Sequence, residues 1–333
     1  MDLNILVTGG AGYIGSHTAR LIEKSGHKPI IYDNFSTGHR WAAQSGVLVE
    51  ADLQDQAAIQ QVLKQHEIEA VIHFAADAYV GESVLHPRKY FRNNVVNTLN
   101  LLDSMLDASV RFIVYSSTCA TYGIPETVPI AEDQPQLPVN PYGESKLFVE
   151  RVLKSYARAY GLRWVALRYF NAAGAADGLG ECHDPETHLI PLTIQAALTG
   201  IPVEIFGADY PTKDGTAVRD YIHVDDLARA HLSALEYLVR EGESRAFNLG
   251  TGQGYSVREV LQMVEQVSHT VVPNRISERR SGDPAALVAD NRAARELLGW
   301  VPQRSSLQEI IASAWAWHIG RSADKAKGCR ASE

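Results

Sequence analysis

Val7-Thr8-Gly9-Gly10-Ala11-Gly12-Tyr13-Ile14-Gly15 carries the strongest structural signal in the chain. The apolar run 3–7 reads as a strand, and 14–24 reads as the helix that follows it. Glycines at 9, 12 and 15 let the backbone turn sharply, approach a pyrophosphate and pack the helix against the strand. The opening helix offers unpaired N–H groups and the positive end of its dipole to phosphates. A second strand at 29–32 runs into Asp33, eighteen residues past Gly15. A carboxylate there accepts hydrogen bonds from the adenosine ribose hydroxyls and repels a 2′-phosphate, which favours NAD over NADP.

Outward from that turn the pattern repeats. Strand-like runs at 47–49, 70–74, 111–115 and 164–167 are rich in β-branched or aromatic residues. Helical patterns at 57–65, 93–106 and 145–159 separate them. Such alternation predicts an α/β fold with a doubly wound parallel sheet covered on both faces. After about Gly174 the texture becomes Gly-, Asp- and Pro-rich, as it does again at 209–215, which suggests a smaller α/β second lobe. The expected division is 1–175 for the dinucleotide-binding domain and 176–333 for a substrate lobe, interleaved through a returning segment near 217–255. A strand at 247–250 and a helix at 256–267 belong to that return. The polar tail from Ser322 is expected to fray.

Composition narrows the class. With 45% hydrophobic and 21% charged residues over 333, the chain is globular rather than disordered, and its length favours two domains. A net charge of −8 argues against a nucleic-acid partner. The absence of a long uncharged apolar run or a signal-like start predicts a cytoplasmic protein with no membrane partner. Cys119, Cys182 and Cys329 are too scattered for a disulfide framework or a cysteine zinc site. His183 and His188 flank Asp184 and Glu186, but in a loop-like stretch without helical spacing, so no metal is expected.

The chemistry is carried elsewhere. Of fourteen tyrosines only Tyr142 has a lysine, Lys146, four residues on, which places both on one helix face. A free phenol is a poor base at neutral pH. A nearby ammonium and a cationic nicotinamide ring would lower its pKa. Thr118, closing the segment Tyr115-Ser116-Ser117-Thr118, offers a second hydroxyl to the reacting oxygen.

These residues resemble those of the extended short-chain dehydrogenases/reductases, and among them the UDP-glucose 4-epimerases. The resemblance covers nearly the whole chain, to the helix around Trp315 and Trp317. It runs through Ile72-His73-Phe74-Ala75-Ala76, Val80-Gly81-Glu82-Ser83, Pro141-Tyr142-Gly143-Glu144-Ser145-Lys146, Arg168-Tyr169-Phe170-Asn171, Thr187-His188-Leu189-Ile190-Pro191, Asp214-Gly215-Thr216 and Val218-Arg219-Asp220-Tyr221-Ile222-His223-Val224. It implies a reversible C4 epimerisation of UDP-galactose and UDP-glucose through a 4-keto sugar, as in galactose metabolism, with tightly held NAD and a homodimer. In the implied mechanism Tyr142 takes the 4-hydroxyl proton, Thr118 orients that hydroxyl, and Lys146 also holds the nicotinamide ribose. Gly9, Gly12, Tyr13, Ile14, Gly15, Asp33, Asn34, Asp52, Leu53, Phe74, Ala75, Ala76, Asn93 and Phe170, with Thr118, Tyr142 and Lys146, would form the NAD site. Asn171, Leu189, Arg219, Arg280 and Asp283 match the nucleotide contacts, the arginines suiting a diphosphate.

Departures from the pattern keep substrate alternatives open. Thr118 replaces a frequent serine but keeps the hydroxyl. His188 stands where some members carry asparagine, and Asn97 where glycine is frequent. Leu287 occupies the position that limits the sugar pocket, tyrosine in strict glucose enzymes and smaller in those accepting N-acetyl sugars. A core-packing role for Leu287 is the alternative. UDP-N-acetylglucosamine and the pentoses UDP-xylose and UDP-arabinose are the other substrates, and a non-catalytic nucleotide sensor is the rival from another class. A 4,6-dehydratase needs an Asp-Glu pair after the threonine, and a decarboxylase a glutamate; Cys119-Ala120 stands there instead.

Overall fold

The computed structural model describes residues 2–280 and 282–326. Six strands come from the first half: β1 (Asn4–Thr8), β2 (Lys28–Asp33), β3 (Val47–Glu50), β4 (Ala70–His73), β5 (Phe112–Thr118) and β6 (Arg163–Tyr169). A seventh, β7 (Arg245–Leu249), joins them from far along the chain. Among the described residues these form a parallel seven-stranded sheet in the order β7-β6-β5-β4-β1-β2-β3. The register sets Thr8 beside His73 and Thr118 beside Tyr169, so several strands end along one edge.

The helices used below are α1 (Tyr13–Lys24), α2 (Gln56–Gln65), α3 (Asn97–Asp107), α4 (Pro141–Tyr160), α5 (Leu189–Thr199), α6 (Val224–Val239), α7 (Val257–Ser268) and α8 (Leu307–Ala326). Both sheet faces are apolar, as a parallel sheet requires. On one, Ile5, Val7, Ile72 and Val114 pack with Ala19 and Ile22 of α1 and with Leu227, Leu235 and Leu238 of α6. On the other, Leu6, Val71 and Ile113 meet Ile59 and Leu63 of α2, Leu101 and Met105 of α3 and Val149 and Leu153 of α4. A separate core joins Ile190 and Ile194 of α5, Val260 and Val264 of α7 and Ile310 and Ile311 of α8.

Some boundaries differ from the sequence expectation. The helix expected at 93–106 opens with a π-helical turn, Phe91–Val96, before α3 begins. The helix expected from 145 starts four residues earlier: Pro141 sits in its first turn, and the Asn140 side chain caps the Gly143 N–H at 2.9 Å. Gly161, in the left-handed region, closes it. Of the tail expected to fray from Ser322, the backbone through Ala326 continues α8, and 327–333 lie outside the described residues.

A buried ion pair ties α4 to the sheet. Glu150 of α4 accepts from Arg168 of β6 at 2.9 and 2.6 Å and from the Ser117 hydroxyl of β5 at 2.6 Å. Arg168 also donates to Tyr122, which donates in turn to Asn248 of β7. Removing one member of such a pair strands the other charge in the interior. Glu150→Ala is therefore expected to cost about 3–5 kcal/mol of stability in urea denaturation, and a loss under about 1 kcal/mol contradicts this reading.

Candidate active site

The glycine turn fits between two strand ends because two of its residues lack a side chain. A Cβ on Gly15 would lie 2.2 Å from the Gly9 oxygen, and one on Gly9, at φ 70°, would lie 2.6 Å from the Ala75 nitrogen. α1 therefore starts tight against β1 and β4. Its N-cap, Gly12, supplies no side-chain cap, and no acidic residue occupies the first turn, so the N–H groups at Tyr13 and Ile14 face an anion-receptive end. Across from it, the Asp33 carboxylate at the end of β2 accepts from Ala11 N at 2.9 Å and Phe35 N at 2.8 Å. Burial raises its pKa, and those two hydrogen bonds pull it back only in part. Asn34 donates to Asp52 at 2.6 Å, and the neighbouring Leu53 is buried. Phe74, Ala75 and Ala76 follow β4, with Phe74 against the His231 ring at 4.5 Å. This end of the sheet has the glycine clearance, helix terminus and acidic strand end that fit an adenine dinucleotide.

The hydroxyl cluster forms beside it. Thr118 ends β5, its hydroxyl accepts from Ala120 N at 3.1 Å, and the hydroxyl stands close enough to the Tyr142 phenol to act on its pKa. One turn along α4, the Lys146 ammonium lies 5.9 Å from the Tyr142 ring centre and 5.1 Å from that of Tyr115. It donates to the Ser116 carbonyl at 2.9 Å and is 2% exposed. Burial, with a carbonyl rather than a carboxylate in contact, pulls the lysine down to about 7, and Asp77 offsets part of this from a distance.

The phenol does not follow the sequence expectation that the ammonium lowers it. In the protein alone, burial pushes Tyr142 above its ordinary value, and Tyr169 adds to that; the nearby Thr118 hydroxyl pulls the other way. A lysine near 7 is only partly charged at neutrality, so it cannot outweigh the loss of water around a phenolate. Further lowering needs a second cation at the ring.

The remaining predicted residues lie beyond β6 in the chain. Asn171 begins the short strand Asn171–Ala173, paired with Tyr221–His223, and Leu189 is the first residue of α5. Arg219 pairs with Asp283, and also donates to the Val218 and Pro284 carbonyls at 2.8 and 3.0 Å. Arg280 is exposed and lies over the Phe206 ring at 3.8 Å. Phe170 is buried with Cys119, Tyr122, Ile130 and Ala289, and half-buried Leu287 packs on that group.

Residues 5–250 match the NAD dependent epimerase/dehydratase family. The chain belongs to that family. It is 51% identical over 317 residues to the UDP-glucose 4-epimerase of Rhizobium leguminosarum bv. trifolii, covering 94% of this chain and 97% of that protein. The UDP-glucose 4-epimerase of Brucella ovis, solved in complex with NAD, superposes with a TM-score of 0.93 at 52% identity, over 96% of this chain and 98% of that one. A UDP-glucose-4-epimerase from Stenotrophomonas maltophila, solved with NAD and formylated UDP-arabinopyranose, gives 0.93 at 40% identity, over 96% and 99%.

Around this epimerase/dehydratase-family site lie supports to which the sequence assigned no role. Asn97 donates to Asn93 at 3.0 Å and so orients a predicted cofactor residue. Asn94 exchanges two hydrogen bonds with the Asp77 backbone and donates to Ser145 at 3.0 Å, pinning the loop after β4 to the first turn of α4. The π-helical turn sets this spacing, and no local propensity announces it. His183 and His188 also meet, with Glu181 and Glu186 between them.

Because burial holds Lys146 below its unfolded value, its charged form costs stability fully below about pH 7. The cost fades as pH rises towards about 10, where the unfolded lysine also loses its proton. Lys146→Met is therefore expected to stabilise the dinucleotide-free protein most at about pH 6, with the gain shrinking by about pH 9.5. Urea denaturation at the two pH values measures this, and a pH-independent difference contradicts it.

Proposed function

We propose that the chain interconverts UDP-galactose and UDP-glucose by reversible oxidation at C4, in the manner of galactose metabolism. The observation that carries this reading is the Thr118–Tyr142 hydroxyl pair beside buried Lys146, on the same sheet edge as the glycine turn. NAD, when bound, supplies a reversible two-electron oxidation of the sugar carbon. Gly9, Gly12 and Gly15 would give it backbone clearance, the N–H groups of Tyr13 and Ile14 would hold its phosphates, and Asp33 would hold its ribose. Asn34, Asp52, Leu53, Phe74, Ala75, Ala76, Asn93 and Phe170 complete the surround.

Tyr142 Oη takes the proton of the sugar 4-hydroxyl and later returns it. Thr118 holds that hydroxyl towards Tyr142, and Lys146 steadies the phenolate and the nicotinamide ribose. Arg219, Arg280, Asp283, Asn171 and Leu189 anchor the UDP group while the keto sugar turns over. Arg219 reaches the diphosphate by giving up or sharing Asp283, a step that favours an anionic ligand over a neutral one. Leu287 forms part of the sugar wall from its place against Phe170 and Cys119.

Dehydration of the same sugar is disfavoured by the thiol that succeeds Thr118 in the chain. Burial pushes Cys119 up to about 12, leaving it inert as an acid or base at neutral pH. A homodimer through α3 and α4 belongs to this proposal, and Phe148, a large apolar side chain exposed on α4, supports it. A cytoplasmic site of action belongs to the same proposal; among the described residues no helix is long and apolar enough to cross a membrane.

Purified protein incubated with UDP-galactose and followed by proton NMR is expected to form UDP-glucose. Tyr142→Phe is expected to lower turnover by about 10²–10⁴-fold while UDP binding is unchanged. Turnover within about tenfold of wild type removes Tyr142 from the proton transfer.

A further inference from the structure

Outside the hydroxyl cluster, four side chains on one loop converge: Glu181, His183, Glu186 and His188 offer ligand atoms that all lie within 4.8 Å of one another. Histidine nitrogens and carboxylate oxygens alternate. His188 Nδ1 is 2.8 Å from Glu181 Oε1 and 3.0 Å from Glu186 Oε1. His183 Nδ1 is 3.2 Å from Glu181 Oε1 and 3.7 Å from Glu186 Oε2. Around a small divalent ion with bonds of about 2.0–2.2 Å, tetrahedral ligand atoms stand about 3.3–3.6 Å apart; the two His183 distances bracket that spacing, and the two His188 distances are shorter, at hydrogen-bond length.

We propose that Glu181, His183, Glu186 and His188 form a structural site for a zinc-like divalent transition metal. Charge supports it. The Glu181 and Glu186 side chains are each only 7% exposed, and two neighbouring buried carboxylates need two positive charges. One divalent ion with two neutral imidazoles balances them. Direction supports it as well: the buried His183 Nδ1, though 3.2 Å from Glu181, makes no well-directed hydrogen bond. Both histidines turn the same ring nitrogen to a common centre. Imidazole with carboxylate is a donor set that zinc and its first-row neighbours accept.

The surroundings fix the ligands from outside. Thr187 N and His188 N hold Glu186 Oε1 at 2.8 and 2.9 Å, which leaves Oε2 towards His183. The loop backbone is held by Trp317, which donates to the Glu181 carbonyl at 3.1 Å, and by His39 against the Cys182 carbonyl at 2.8 Å. Such outer contacts orient metal ligands. Four protein ligands leave no open position, so the metal's role is to fix the loop leading into α5 rather than to take part in chemistry. His188 immediately precedes Leu189, the first residue of that helix, so the metal sets where α5 begins.

The test uses full-length protein purified without a metal-affinity column. Elemental analysis is expected to find about one zinc or neighbouring first-row metal per chain. After stripping with a chelator, zinc chloride is expected to bind with sub-micromolar affinity in competition with a chromophoric chelator, and to raise the thermal midpoint. Glu181→Gln, which keeps the shape of the side chain, is expected to weaken zinc by at least about tenfold with an unchanged circular dichroism spectrum. Protein without bound metal that takes up zinc only at millimolar concentration, or equally well in Glu181→Gln, overturns the site. The four residues are then two imidazolium–carboxylate pairs.

Discussion

The constraint behind the site is an ammonium without a carboxylate beside it. Lys146 is inside the protein, hydrogen-bonded to a strand carbonyl, and its charge is therefore expensive. Everything around it manages that cost. Asp77 acts from a distance, Asn94 locks the loop bearing Asp77 to the first turn of α4, and the Glu150–Arg168 pair holds α4 on the sheet one turn further along. A direct ion pair would quench the lysine. A half-charged lysine instead leaves the electrostatics of Tyr142 to be completed by whatever binds beside it.

The sheet places that binding. Parallel strands end in one direction, and their termini bring Thr8, Asp33, His73 and Thr118 to a single edge although they are scattered over more than a hundred residues. His73 bridges Thr8 and Thr98 at 2.6 and 2.9 Å, and burial lowers it to about 3, so it stays neutral as part of the floor. The glycine turn packs α1 onto this floor too closely for any side chain at Gly15. The same packing leaves the helix end uncapped for phosphate.

Much of this was legible in the sequence, because it is local. A glycine turn between strand and helix, an acid at the next strand end, and a tyrosine and lysine one helical turn apart are patterns within short windows. What escaped depends on contacts between distant segments. The return of a strand near 247–250 to the first sheet was legible, but not that its partner is β6, some eighty residues earlier, and Asn97 has a reason only once the π-helical turn sets Asn93 beneath it. The His183 and His188 loop has no periodicity, so nothing in its spacing shows that the chain folds Glu181 and Glu186 between them. The direction of the Tyr142 shift escaped for another reason. The sequence shows the nearby cation but not how much water burial removes.

The central claim is that Tyr142 remains a protonated phenol in the protein alone and ionises near neutrality when a cationic nicotinamide is brought beside it. Tyrosinate difference absorbance, wild type minus Tyr142→Phe, measured against pH with and without NAD⁺, tests this most directly. The account predicts no Tyr142 ionisation below about pH 10 without the dinucleotide and a titration moved several units towards neutrality with it. Superimposable titrations in the two states would contradict it.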